Sequence, residues 1–165
     1  MLDLQRLRGD HSAAVRAFEV VNRAYFAVSI TDRGEEFFEH FSERYDASLA
    51  EQNAGMCAFH VLLDKDGTVL GRFNLYNIDG RAAEVGYRVA ENVAGRGVAT
   101  STLRKLCRLA AAQYGLETLT AATTNENIAS QRVLEKAGFV SIGLTDVAGR
   151  PGILFKCVLD RSPTP

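Results

Sequence analysis

The chain is 165 residues long, 47% hydrophobic and 24% charged, with a formal net charge of −1. That is the profile of one soluble globular domain. No apolar run approaches the roughly 20 residues of a membrane span, the start "MLDLQRLRGDH" lacks the apolar stretch of a secretory signal, and Cys57, Cys107 and Cys157 form neither a metal-type pair nor an even disulfide framework.

Taken in chain order, "LDLQRL" alternates like a short first strand. "HSAAVRAFEVVNRAYF" has apolar residues at helical spacing, with Asp10 as the expected N-cap. Asp32 and Glu35 have the spacing of a capping box and open a second helix, whose apolar side is Phe37, Phe38, Phe41, Tyr45 and Leu49. "GMCAFHVLLDKDGTVLGRFNLYNID" reads as two strands joined by a tight turn at Asp66-Gly67, and "GRAAEVGYRVA" as a third. A glycine-rich turn, "VAGRGVAT", leads into a helix that ends at Gly115. "ETLTAATT" is a β-branched strand, "NIASQRVLEKAG" a short helix closed by Gly138, and "FVSIGLTDV" and "GILFKCVL" are two last strands around "AGRPG". The order β-α-α-β-β-β-α-β-α-β-β predicts an α+β fold, a mixed sheet with helices on both faces. One domain is expected over residues 1–160, with a flexible tail at 161–165.

Charge is unevenly spread. Residues 31–52 carry seven acids against Arg33 and Arg44, and residues 81–112 six basic residues against Glu84 and Glu91. Two solvated helix faces explain this. A sharper reading puts an anionic ligand near the second segment and a cationic one near the first. Basic residues do not sit with exposed aromatics, so no nucleic-acid partner is expected. His11, His40 and His60 lack metal-type spacing, so no metal is expected.

The turn at 93–100 fails as a dinucleotide fingerprint because Thr100 replaces the third glycine, and no P-loop Gly-Lys-Ser/Thr follows. What remains is a strand, two glycines and a helix start, whose first N–H groups are unpaired and carry the positive end of the helix dipole. A glycine entry with no ligand fits the same letters.

"AEVGYRVAENVAGRGVAT" followed by "NENIASQRVLEKAGF" resembles the GNAT N-acetyltransferase superfamily, and within it the RimJ/RimL-type branch of ribosomal-protein N-terminal acetyltransferases. The match is strongest over residues 81–142. It implies a mostly antiparallel seven-stranded sheet and acetyl-CoA as cosubstrate. By resemblance, the backbone at Gly95, Arg96, Gly97, Val98, Ala99 and Thr100 holds the pyrophosphate. The family's Gln or Arg falls at Ala94, which Arg96 is expected to offset. The backbone of Tyr87, Arg88 and Val89 would pair with the pantetheine arm like an added strand. This requires the strands at 81–90 and 117–124 to splay, which in the family comes from a bulge. A backbone N–H near Val89 would meet the oxyanion.

Acetyl transfer needs a neutral amine and a proton for the departing thiolate. An α-amine of pKa about 7.8 costs roughly 0.5 kcal/mol to deprotonate near neutrality, a lysine-type amine about 4 kcal/mol. Glu84 is the expected base, inside a buried strand with a raised pKa or acting through water, the alternative being a structural ion pair to Arg72 or Arg88. The family's acid, a tyrosine, would fall at Leu134, which cannot serve. Residues 127–139 match the RimJ/RimL-type pattern, which makes Ser130 the expected acid or proton relay. Helix packing is the plainer reading of Ser130. Asn127 fits a pantetheine contact or an N-cap, and Asn125 is a weaker candidate. Tyr25 and Phe26 are expected near the acceptor.

The acceptor is expected to be a protein N-terminal α-amine. The alternatives are a small cationic amine of aminoglycoside or polyamine type, a non-catalytic acyl-CoA-binding module, and a nucleotide-binding protein using the same turn. A cytoplasmic monomer or homodimer with reduced thiols and no membrane partner is expected.

Overall fold

The computed structural model describes residues 1–161. Seven strands form one sheet: β1 (Asp3–Arg6), β2 (Ala58–Leu63), β3 (Val69–Asp79), β4 (Ala82–Val89), β5 (Thr118–Thr124), β6 (Val140–Val147) and β7 (Arg150–Val158), in the order β1-β2-β3-β4-β5-β7-β6. Every neighbouring pair is antiparallel except β4 and β5. The helices are α1 (Ser12–Val21), α2 (Arg23–Ala27), α3 (Glu35–Glu39), α4 (Phe41–Asn53), α5 (Val98–Tyr114) and α6 (Ile128–Lys136). The α+β architecture is the one expected.

Strand alternation sends side chains to two faces. On one face Ala58, Leu62, Phe73, Leu75, Ala83, Val85, Leu119 and Ala121 pack under α5 and α6, through Leu103, Leu106, Ala110 and Leu134. On the other, Phe59, Val61 and Val69 pack under α1 to α4, through Val15, Phe18, Phe26, Phe41 and Tyr45. Among the described residues no helix is long and apolar enough to cross a membrane.

Both expected N-caps are corrected. Asp10 lies in a 3-10 turn and pairs with Arg8, so α1 starts after His11 without a side-chain cap. Asp32 and Glu35 make no capping box. Both carboxylates bind Arg23, and Gly34 (φ 85°) enters α3 instead. The guanidinium holds Asp32 down to about 2. The expected long helices each break in two, at Asn22 and at His40. Of the expected tail, Arg161 is described and pairs with Glu117; residues 162–165 lie outside the described residues.

His60 on β2 is buried between the Phe73 carbonyl and the Tyr114 hydroxyl, each at 3.0 Å. Burial pushes it down to about 4. Unfolded, it titrates near 6.5, so the unfolded chain binds the extra proton between those values. The contribution is therefore complete above about pH 6.5 and is lost as pH falls toward 4, by about 3 kcal/mol at the limit. In urea unfolding at pH 7 and pH 4.5, His60→Leu should be less stable than wild type at pH 7 yet lose less on acidification. Equal losses in both proteins would remove His60 as the source.

Candidate active site

The parallel strands β4 and β5 pair over only three residues, Ala82–Glu84 with Thr118–Thr120. Beyond that β4 stays with β3, and β5 with β7. The Ala90 N–H donates to the Leu70 carbonyl, and Arg88 lies opposite Arg72. By the alternation of an antiparallel ladder, the backbone groups of Tyr87 and Val89 therefore turn away from β3, toward the gap. The expected splay is present, but β4 keeps an unbroken register with β3 from Glu84 to Val89. The irregularity lies in β3, between Tyr76 and Asp79, where Asn77 takes φ 47°. The bulge expected with the splay thus lies in β3, the neighbour of β4.

A cavity of about 310 Å³ opens at this gap. Val85, Tyr87, Asn127, Ser130 and Leu134 line its α6 side. Arg72, Asn74, Tyr76, Gly86 and Arg88 line the opposite side, together with Ser29, Ile30, Thr31 and Arg33 from the loop after α2. Arg150, at the start of β7, closes one end. Four arginines and no carboxylate are in the lining.

On the α6 side, Tyr87 stacks on Phe73, with ring centroids 5.7 Å apart, and brings its hydroxyl to 3.0 Å from Ser130 Oγ. Burial raises the Tyr87 pKa, opposed by the Ser130 hydrogen bond. Ser130 N–H donates to Asn127 Oδ1, so Asn127 is the N-cap of α6 as well as a cavity residue. Asn125 lies in an adjoining cleft with Glu126 and Arg150.

The glycine turn follows β4 in the chain, after a 3-10 turn at Glu91–Val93. Gly95 and Gly97 have φ of 72° and 78°, and a Cβ on either would meet open space. The conformation itself calls for glycine here. Among the described residues no backbone N–H from Gly95 to Thr100 has an acceptor, and α5 starts at Val98 without a side-chain cap. Arg96 is exposed beside them, and Ala94 is extended. Six free donors at the positive end of a 17-residue helix suit a phosphate-bearing ligand.

The other half of the cavity differs from expectation. Glu84 is exposed, accepts from Asn77 Nδ2 at 2.9 Å, and is absent from the cavity lining. Its expected burial is corrected, as is the alternative of an ion pair to Arg72 or Arg88: its side chain lies on the opposite face of β4 from the buried Ala83 and Val85 and is held by Asn77. The buried acid is Glu19 on α1, with its side chain 1% exposed. Both its oxygens accept from Arg33 at 3.1 Å, and Arg88 Nη1 approaches at 3.4 Å while its guanidinium lies over the Phe26 ring. The acids of residues 31–52 do not reach this cavity; only Thr31 and Arg33 of that segment line it. Tyr25 and Phe26 do not line it either; Phe26 is buried beneath Arg88.

Sequence reasoning missed Glu19, the Tyr87 hydroxyl and the free Arg72. One signal was available: Val15, Phe18, Glu19 and Asn22 share the apolar stripe of the first helix, so the acid had to be buried.

The acetyltransferase (GNAT) domain model matches residues 2–140. YdaF of Bacillus subtilis (strain 168), provisionally assigned as a ribosomal N-acetyltransferase, is 34% identical over 80 residues; the match spans 47% of this chain and 44% of that protein. The crystal structure of a ribosomal-protein-S5-alanine acetyltransferase from Vibrio fischeri superposes with a TM-score of 0.88 at 20% identity, covering 98% of this chain and 96% of that one. Spermidine N-acetyltransferase from Vibrio cholerae, in complex with CoA and spermine, superposes with a TM-score of 0.79 at 19% identity, covering 96% and 95%. At these identities the two superpositions establish a shared fold.

Removing the charge of Glu19 leaves Arg33 and Arg88 facing each other with no counter-ion. Glu19→Gln should destabilise the chain by on the order of 3 kcal/mol. Urea midpoints of the variant and wild type at pH 7 measure this, and unchanged midpoints would show that the cluster is solvated.

Proposed function

The chain belongs to the GNAT acetyltransferase family, and on that premise we propose that it moves the acetyl group of acetyl-CoA onto a primary α-amine, that of a protein N-terminus, by direct attack. The observation that carries this is the β4–β5 gap, where a cavity with hydroxyls on one side and arginines on the other opens along β4, the strand that leads in sequence into a glycine turn rich in free N–H donors. The pyrophosphate lies on the amides of Gly95 to Thr100, beside Arg96. The pantetheine arm runs along the free backbone edge of Tyr87 to Val89, like an added strand. That edge also offers the N–H near Val89 to the oxyanion of the tetrahedral intermediate.

Among the lining residues there is no side-chain base. An α-amine, already close to half neutral near pH 8, suits such a site better than a polyamine held cationic at neutral pH. Nearby guanidinium charge lowers the amine pKa further. The nitrogen attacks the thioester carbonyl, its proton leaves to water, and the C–S bond breaks as the intermediate collapses. The departing thiolate takes its proton from the Tyr87–Ser130 hydroxyl pair. Tyr87 thereby supplies from β4 the phenol that Leu134 does not supply from α6. The absence of acidic side chains from the cavity counts against a polyamine acceptor.

In steady-state assays following CoA release with an α-amine peptide, Tyr87→Phe should lower kcat by roughly 10²-fold, the scale of a lost proton donor. Ser130→Ala should lower it by less, and acetyl-CoA affinity should be retained in both. Glu84→Gln should stay within about twofold of wild type; a loss of 10² or more would restore Glu84 as the base. Tight acetyl-CoA binding with no turnover on any amine would favour a binding module. Heat protection by ATP exceeding that by CoA would favour a nucleotide site.

A further inference from the structure

Arg72 is the most unusual charged group in the chain. It lines the cavity, yet its guanidinium has no hydrogen bond or ion pair among the described residues. Its Nε is fully enclosed and has no acceptor. Burial lowers its pKa, with Glu19 acting in the opposite sense; an arginine remains charged all the same.

Its neighbour compounds the problem. Arg88 lies directly opposite Arg72 in the β3–β4 register, on the same face, and like charges facing each other across two strands repel. Arg33 brings a third guanidinium. Glu19 is the single buried carboxylate among them, and Arg33 already takes both its oxygens. Three positive charges against one negative leave an excess of two facing the cavity. Desolvated donors without acceptors are costly to keep. Two guanidinium forks side by side suit the two oxygens of a carboxylate.

We propose that Arg72 and Arg88 form a carboxylate-binding subsite in the acceptor half of the cleft, so that the amine acetylated here carries a carboxylate a few atoms away. This rests on the acetyl-transfer reading of the same cleft. Two sources share that chemistry: an Asp or Glu side chain beside a peptide's α-amine, and the α-carboxylate of a free amino acid. The subsite also orients the acceptor. With its carboxylate held at Arg72 and Arg88, the amine points across the gap toward Tyr87 and Ser130.

The test has a turnover arm and a binding arm. In the first, kcat/KM is compared for two peptides that differ only in Glu against Gln at the second residue, with free glutamate and spermidine alongside. Wild type should prefer the Glu peptide or free glutamate over the Gln peptide by at least tenfold, and should use spermidine poorly. Arg72→Met should erase that preference mainly through KM, with acetyl-CoA affinity unchanged, and Arg72→Lys should restore part of it. Use of the peptide but not of glutamate assigns the carboxylate to a side chain near a chain start, and the reverse assigns it to an amino acid. Equal use of the Glu and Gln peptides by wild type without use of free glutamate, or a preference that survives in Arg72→Met, overturns the subsite.

In the second arm, succinate is titrated into the chain saturated with CoA, and the melting temperature is followed. A rise in wild type that is absent in Arg72→Met supports the subsite, and no rise in wild type overturns it. This arm needs no turnover. Failure of acetyl transfer with every amine is thereby separated from failure of the subsite.

Discussion

The cleft depends on one constraint: β4 and β5 are joined for three residues and then part. A parallel pair in mid-sheet ordinarily continues, because unpaired backbone groups in a protein interior are expensive. Here β5 is satisfied by β7 along its whole length, and β4 by β3. Each strand therefore leaves one edge open, and that of β4 at Tyr87 and Val89 is the edge a pantetheine-like amide chain can use. The cavity and the two faces it connects follow from that parting. The bulge in β3 at Asn77 and Ile78 lies just below it, opposite the last joined residues, where extra twist helps the strands diverge.

Electrostatics divides the cavity into two halves. The α6 half is neutral and hydroxyl-bearing, with a tyrosine kept protonated by burial. The opposite half is cationic, because one buried acid on α1 serves arginines from a loop and a central strand. This matters for an amine. In bulk water its pKa sets the fraction able to attack, and each unit of depression lowers the cost of deprotonation by about 1.4 kcal/mol. A guanidinium cluster supplies such depression without any base. The acidic segment that looked like a cationic-acceptor site lies off the cavity, and three of its carboxylates, those of Asp32, Glu35 and Glu36, pair with Arg23 and Arg44.

Most of the fold was legible in the sequence because its signals are local. Alternation gave the strands, Gly115 and Gly138 closed two helices, and Asp66-Gly67 closed a hairpin. The glycine turn was legible for the same reason. What failed was also physical. Asp10, Asp32 and Glu35 had capping letters, but each had an arginine within reach, and an ion pair with a guanidinium displaced the weaker cap. Glu84 had the expected position on its strand, yet its side chain is on the face of β4 away from the buried Ala83 and Val85 and is exposed there. The Glu19 cluster joins α1, the loop after α2, and β4, residues 14 and 69 apart in sequence. No local pattern reports a contact of that kind.

Leu134 and Tyr87 belong to one argument. A leucine on α6 removes a phenol from the helix, and alone would leave the departing sulfur without an acid. It also fits an apolar wall, and it is buried in the core beneath α6. Tyr87 arrives from the facing strand, stacked on Phe73, with its hydroxyl held by Ser130. Ser130 is in turn fixed at its backbone by the Asn127 cap. A lone serine hydroxyl is far too weak an acid to protonate a thiolate directly. In the proposed reaction it is coupled to a phenol whose ordinary pKa is about 10, close to that of a thiol, and is part of a donor matched to the leaving group. The cap, the serine and the tyrosine thus form one chain of hydrogen bonds. The function proposed for it depends on β4 lying free of β5 at Tyr87, which returns the chemistry to the parting of the two strands.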